Sequence, residues 1–109
     1  MQLLESESAA LAELKKHLKL VFGSRLRELR LFGSRARGQG DEDSDIDVLV
    51  VVDDLVGNEA RKVAYFAGDL LTRYDVLVSP FAVSTKHMDD LRSRERLIAQ
   101  EIDREGVPL

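Results

Sequence analysis

Residues 32–52 read FGSRARGQGDEDSDIDVLVVV, and this stretch decides the fold. Its second part, Ile46 to Val52, is an aliphatic, mostly β-branched run broken only by Asp47. Such a run is expected to form a strand covered on both faces, and therefore a central one. Upstream, Leu26 to Phe32 alternates through Arg27-Glu28-Leu29-Arg30-Leu31, the pattern of a strand with one buried face that stops at Gly33-Ser34. Between the two, residues 35–44 are polar and glycine-rich. This connection of about eleven residues is short for the dozen or more that a parallel crossover needs, so an antiparallel pair is expected. The end of the first strand then lies beside the start of the second.

Outward from this pair, Leu11, Leu14, Leu18 and Val21 recur at three- and four-residue intervals among charges. They predict an amphipathic helix from Glu5 to Val21, capped near Gly23. After Gly57-Asn58, the residues Ala60, Val63, Ala64, Ala67, Leu70 and Leu71 predict a helix of about fifteen residues, long enough to cross to a parallel neighbour. Val76-Leu77-Val78 is read as that neighbour, stopped by Ser79-Pro80. A last helix is expected from a Ser84 or Thr85 cap to Arg104, with Val107-Pro108-Leu109 as an extended tail. The expected architecture is an α/β two-layer domain with a small mixed sheet flanked by helices, α-β-α-β-α-β-α, occupying residues 1–109 as a single domain.

Composition bounds the function. With 109 residues, 44% hydrophobic and 33% charged, the chain has the balance of a soluble globular domain. Its longest apolar run is Val48 to Val52, against the roughly 20 residues of a membrane span, and no basic leader with an apolar core opens it. Cysteine is absent, which excludes disulfides and thiolate chemistry and suits a cytoplasmic setting. A net charge of −4 argues against dedicated DNA binding. Locally, Arg25, Arg27, Arg30, Arg35 and Arg37 form a cationic stretch that an anion could approach.

The string Phe-Gly-Ser-Arg occurs twice, at 22–25 and 32–35, but only the second copy is followed by Asp45-Ile46-Asp47 at the spacing of a site. The first is read as a helix cap. Asp45 and Asp47 alternate with Ile46, so both carboxylates project from one face roughly 6–7 Å apart. Two anions so placed call for a cation, and Mg²⁺, which takes oxygen ligands and keeps positions for phosphate, is the suitable one. Asp75, entering the third strand at the same sheet end, is expected to add a third carboxylate, and three such acids can hold two ions. The glycine of Gly33-Ser34 permits close approach to an anion, and Ser34 adds a hydroxyl donor. Arg37 is the choice for a direct phosphate contact, while Arg35 is read as solvated or partner-facing. Lone His17 and His87 are read as surface residues.

Gly33-Ser34-x-Ala36-Arg37-Gly38, then Ser44-Asp45-Ile46-Asp47-Val48-Leu49-Val50, with Asp75 beyond, resemble the minimal nucleotidyltransferase (MNT) family of the DNA polymerase beta superfamily. The resemblance implies Mg²⁺-dependent nucleotidyl transfer from ATP or another NTP. It implies Asp45, Asp47 and Asp75 as catalytic metal ligands, and Gly33, Ser34, Arg37 and Ser44 as nucleotide-binding positions. Stand-alone members resemble antitoxins that silence a helical HEPN-domain ribonuclease toxin by transferring AMP to a toxin tyrosine. The expected reaction is therefore AMP transfer from ATP to a hydroxyl of a partner protein. The alternatives weighed are a non-catalytic antitoxin that acts by occlusion, and transfer to a small molecule.

Overall fold

The computed structural model describes residues 3–38 and 44–109; residues 39–43 of the expected polar loop lie outside the described residues. Helix α1 (Glu5–Phe22) passes through a short 3₁₀ turn (Gly23–Arg25) into strand β1 (Leu26–Phe32). One helical turn, α2 (Gly33–Ala36), follows, then β2 (Ile46–Val52), α3 (Gly57–Tyr74) and β3 (Val78–Ser84). Two short helices, α4 (Thr85–Ser93) and α5 (Leu97–Glu105), precede a two-residue strand β4 (Val107–Pro108).

The sheet runs β3-β2-β1-β4. As expected, β1 and β2 are antiparallel, with Phe32 opposite Asp47, and β2 and β3 are parallel, with Ile46 opposite Val78. β2 is central and six of its seven residues are buried. Its even-numbered residues Ile46, Val48, Val50 and Val52 join a core with Leu11, Leu14 and Leu18 of α1 and Val63, Ala67 and Leu70 of α3. Its odd-numbered Leu49 and Val51 meet Phe32, Val83, Met88, Ala99 and Ile102. The expected mixed sheet flanked by helices is thus present, with α4 and α5 adding a smaller layer on its second face. Full burial of each such aliphatic side chain contributes about 1.5–3 kcal/mol.

Three elements differ from the sequence reading. β3 continues through Ser79-Pro80 to Ser84, which proline allows because β3 is an edge strand. The single last helix is broken into α4 and α5 around Glu95, whose φ of 52° is left-handed. The tail is a strand, Val107 pairing with Leu31 and Pro108 with Arg30. α4 and α5 are tied to the sheet by Arg92, whose Nη1 donates to Glu28 Oε2 at 2.9 Å and whose Nη2 donates to Asp103 Oδ1 at 2.8 Å. His17 is half-buried and stacked on Phe66, ring centroids 3.8 Å apart, a packing role in place of the surface position expected. Among the described residues, no helix is long and apolar enough to cross a membrane.

Candidate functional site

The site forms where β1 ends and β2 begins. Pairing Phe32 with Asp47 places the next residue, Gly33, against the Asp47 side chain. Gly33 has φ +78°, and a Cβ built on it would collide with Asp47 Oδ2 and lie 3.2 Å from Asp47 Cγ. Glycine is therefore required twice here, by backbone conformation and by space. Ser34 is half-buried in the same turn, which is closed by Arg37 N donating to Gly33 O at 3.2 Å.

Asp47 shares strand parity with Leu49 and Val51, so it faces the side covered by α5; Asp45 is exposed at the mouth of the strand. Burial pushes the Asp47 carboxyl above the ordinary carboxylate range, Asp45 and then Glu101 push it the same way, and Arg37 opposes them. Asp45 Oδ2 accepts a hydrogen bond from Ser79 Oγ at 2.9 Å. Ser79 stands opposite Asp47 in the β2–β3 register, so the third strand presents a hydroxyl beside the two acids.

Asp75 does not join them. It caps α3 in the left-handed region (φ 56°, ψ 40°), is exposed, and precedes the first residue of β3 by three positions. Among the described residues, no group of three His, Cys, Asp or Glu side chains is placed to hold a metal ion. The expected convergence of three acids is corrected to a pair. Its physical reason is the later start of β3, which leaves Asp75 terminating a helix.

A paired carboxylate set, one member of which is partly desolvated beside its neighbour's charge, is a hard oxygen donor set that a divalent cation would satisfy. Mg²⁺, which is commonly held by one or two carboxylates and completes its shell with water and phosphate oxygens, would fit such a set.

Arg37 has carboxylate partners in this structure, and Arg35 departs from its sequence reading. Arg37 is held by α5, its Nη1 donating to Glu101 Oε1 at 2.7 Å and to Glu105 Oε2 at 2.9 Å, and both carboxylates favour its cationic form. Phosphate would therefore meet an arginine already gripped by carboxylates. Arg35, expected at the surface, is buried: Nη2 donates to Glu7 Oε1 at 2.6 Å and Nη1 approaches Ser44 O at 3.5 Å. Ser44 thus stands between Arg35 and Asp45, its carbonyl facing the guanidinium.

Sequence reasoning missed Ser79, Glu101, Glu105 and Glu7. Glu101 and Glu105 carried a usable signal, four positions apart on one helix face. Glu7 carried none beyond that of an ordinary first-turn acid.

A family model described as the nucleotidyltransferase domain matches residues 11–101. A Methanocaldococcus jannaschii protein named "Putative protein adenylyltransferase MJ0141" is 34% identical over 86 residues, 74% of this chain and 87% of that protein. A solved toxin-antitoxin structure with AMP-PNP has a TM-score of 0.62 at 25% identity, over 96% of this chain and 72% of the matched one. Another, of a tri-AMPylated Shewanella oneidensis HEPN toxin in complex with an MNT antitoxin, has a TM-score of 0.52 at 25% identity, over 91% of this chain and 70% of the matched one. The chain belongs to the nucleotidyltransferase domain family.

Proposed function

We propose that this protein is a Mg²⁺-dependent protein adenylyltransferase that moves AMP from ATP onto a hydroxyl of a partner protein. The partner is a helical HEPN-domain toxin, and the protein is its cytoplasmic antitoxin. One observation carries the catalytic part: Gly33 packed against the Asp47 carboxylate, with Asp45 alongside. This joins a phosphate-binding turn and a cation-binding pair within one site. Partner and nucleotide are supported by the solved relatives with AMP-PNP and with an AMPylated HEPN toxin.

In this reading Asp45 and Asp47 hold the ion, and bound Mg²⁺ supplies a Lewis acid for phosphate oxygens. Gly33 gives the phosphates close access to the backbone, and Ser34 donates its hydroxyl. Arg37 exchanges carboxylate partners for phosphate oxygens and favours the charge that develops on them. Ser44 sets the position of Asp45 through the chain. The acceptor oxygen attacks the α-phosphorus in line, the bond to the β-phosphate oxygen breaks, pyrophosphate leaves and the hydroxyl proton passes to solvent.

A second reading is occlusion of the toxin without catalysis, in which the protein silences its partner by binding alone. Co-expression with a candidate helical partner, addition of Mg²⁺ and ATP, and intact-mass analysis of both chains separates the two. One or more AMP additions on the partner, absent with the Asp45→Ala, Asp47→Ala double variant, are expected. A tight complex with no mass gain would replace catalysis by occlusion.

A further inference from the structure

The two copies of Phe-Gly-Ser-Arg end in arginines with the same kind of partner. Arg25 donates Nη1 and Nη2 to the two oxygens of Glu59, each at 2.9 Å, and Arg35 donates Nη2 to Glu7 at 2.6 Å. Each glutamate lies in the first turn of a helix and also accepts a backbone N–H three residues earlier, Val56 N at 3.2 Å for Glu59 and Leu4 N at 2.8 Å for Glu7. The likeness ends at burial. The Arg25 and Glu59 side chains are 38% and 23% exposed, whereas those of Arg35 and Glu7 are 6% and 5%.

Burying a charged pair costs desolvation that its mutual attraction often does little more than offset, and well-packed apolar side chains of similar volume often hold a fold as well. What an apolar pair could not reproduce is the connectivity. Arg35 follows the Gly33-Ser34 turn in α2, its guanidinium grips the start of α1 through Glu7, and its other arm faces the carbonyl of Ser44, the residue before Asp45. One buried side chain thus spans the two halves of the site.

We propose that Glu7 and Arg35 are positioning residues for nucleotidyl transfer, which hold the turn that carries Ser34 against the Ser44-Asp45 segment and so complete the site that the β1–β2 pairing begins. This rests on the reading of that turn and of Asp45 as phosphate- and cation-binding. The pair is retained for geometry, and its contribution to stability is replaceable.

The test compares the wild type with Arg35→Met, the Glu7→Leu, Arg35→Met double variant, and Arg35→Lys. Three quantities are read: the urea unfolding midpoint, the affinity for ATP with Mg²⁺, and the amide resonances of the site. The single methionine variant is expected to unfold at lower urea, because it leaves Glu7 buried and unpaired. The double variant is expected to recover the wild-type midpoint while binding ATP at least tenfold more weakly, with shifted Gly33, Ser34, Asp45 and Asp47 amides and unshifted Asp53 and Glu59 amides. Recovery of midpoint, affinity and resonances together would overturn the proposal.

Arg35→Lys keeps a cation for Glu7 but loses the second arm, and is expected to fold and bind ATP weakly. Wild-type affinity in that variant would also overturn the proposal, and it decides the matter should the double variant not fold. Failure of the wild type itself to bind ATP would count against the nucleotide reading, while the resonance comparison would still judge the positioning role.

Discussion

Replacing Gly33 by alanine asks whether the approach of the turn to Asp47 is what the site requires. The φ of +78° costs an ordinary residue about 1–2 kcal/mol. The new methyl also meets Asp47 Oδ2, and turning that carboxylate off its rotamer costs about 0.5–1.5 kcal/mol more. Gly23 supplies the control: its φ is also positive, +56°, but a Cβ there has nothing within 4 Å. Gly23→Ala is therefore expected to lose about 1–2 kcal/mol of stability with unchanged transfer. Gly33→Ala is expected to lose about 1.5–3.5 kcal/mol and, because a displacement of about 1 Å in a reacting constellation costs roughly 100-fold, about that factor in AMP transfer. Urea unfolding of both variants and transfer of labelled AMP to the co-purified partner measure the two effects. Wild-type transfer by a folded Gly33→Ala variant would refute the reasoning, because the collision would then have been absorbed without moving Asp47.

Two pH effects follow from the charges. The folded-state value of Asp47 is raised above its ordinary 3.8, so the stability tied to its proton is complete below that value and is lost as pH rises through the folded one. Asp47→Asn is accordingly expected to be more stable than the wild type at neutral pH and equal to it below about pH 3.8 while abolishing transfer; equal urea midpoints at neutral pH would contradict this. Glu59 is the opposite case, lowered from 4.5 to about 2, first by the hydrogen bond from Arg25 and then by Val56 N–H. Its contribution is present above 4.5 and lost as pH falls toward about 2. The deficit of Glu59→Gln in urea midpoint should shrink across that window, and a deficit constant to its lower end would speak against the pairing.

Much of the architecture could be read from local pattern. The run of Val48 to Val52 announced a strand covered on both faces, and the short connection before it required an antiparallel partner, which together place Gly33 beside Asp47. The misreadings share a cause, in that tertiary position overrides a local rule. Pro80 looked like a strand terminator because it has no amide to give a ladder, yet β3 lies at an edge, where none is needed on the open side. The start of β3 at Val78 instead of Val76 also left Asp75 at the end of a helix, short of the strand it was expected to introduce, and brought Ser79 to the site. The break near Glu95 has no glycine or proline to mark it, and the stripe of Met88, Leu91, Ile98 and Ile102 serves one core from two helices as well as it would from one. Arg35 could not be placed without the fold, because its partner Glu7 is distant in sequence and resembles any acid that complements a helix dipole.

The sheet has a property that bears on assembly. The sequence contains two prolines, and they occupy the two outermost strands, Pro80 in β3 and Pro108 in β4. Ile46 N bonds to Leu77 O, which sets the phase of the ladder so that Pro80 turns toward the open margin. Leu109 N bonds to Leu29 O, and by the same alternation Pro108 also points outward. Each margin therefore lacks an amide donor where an incoming backbone would look for one, so the sheet resists growth by another chain on either side. Joining such a domain to another protein is left to side chains on helices and loops, where recognition depends on shape and charge instead of on the generic adhesion of one strand to the next.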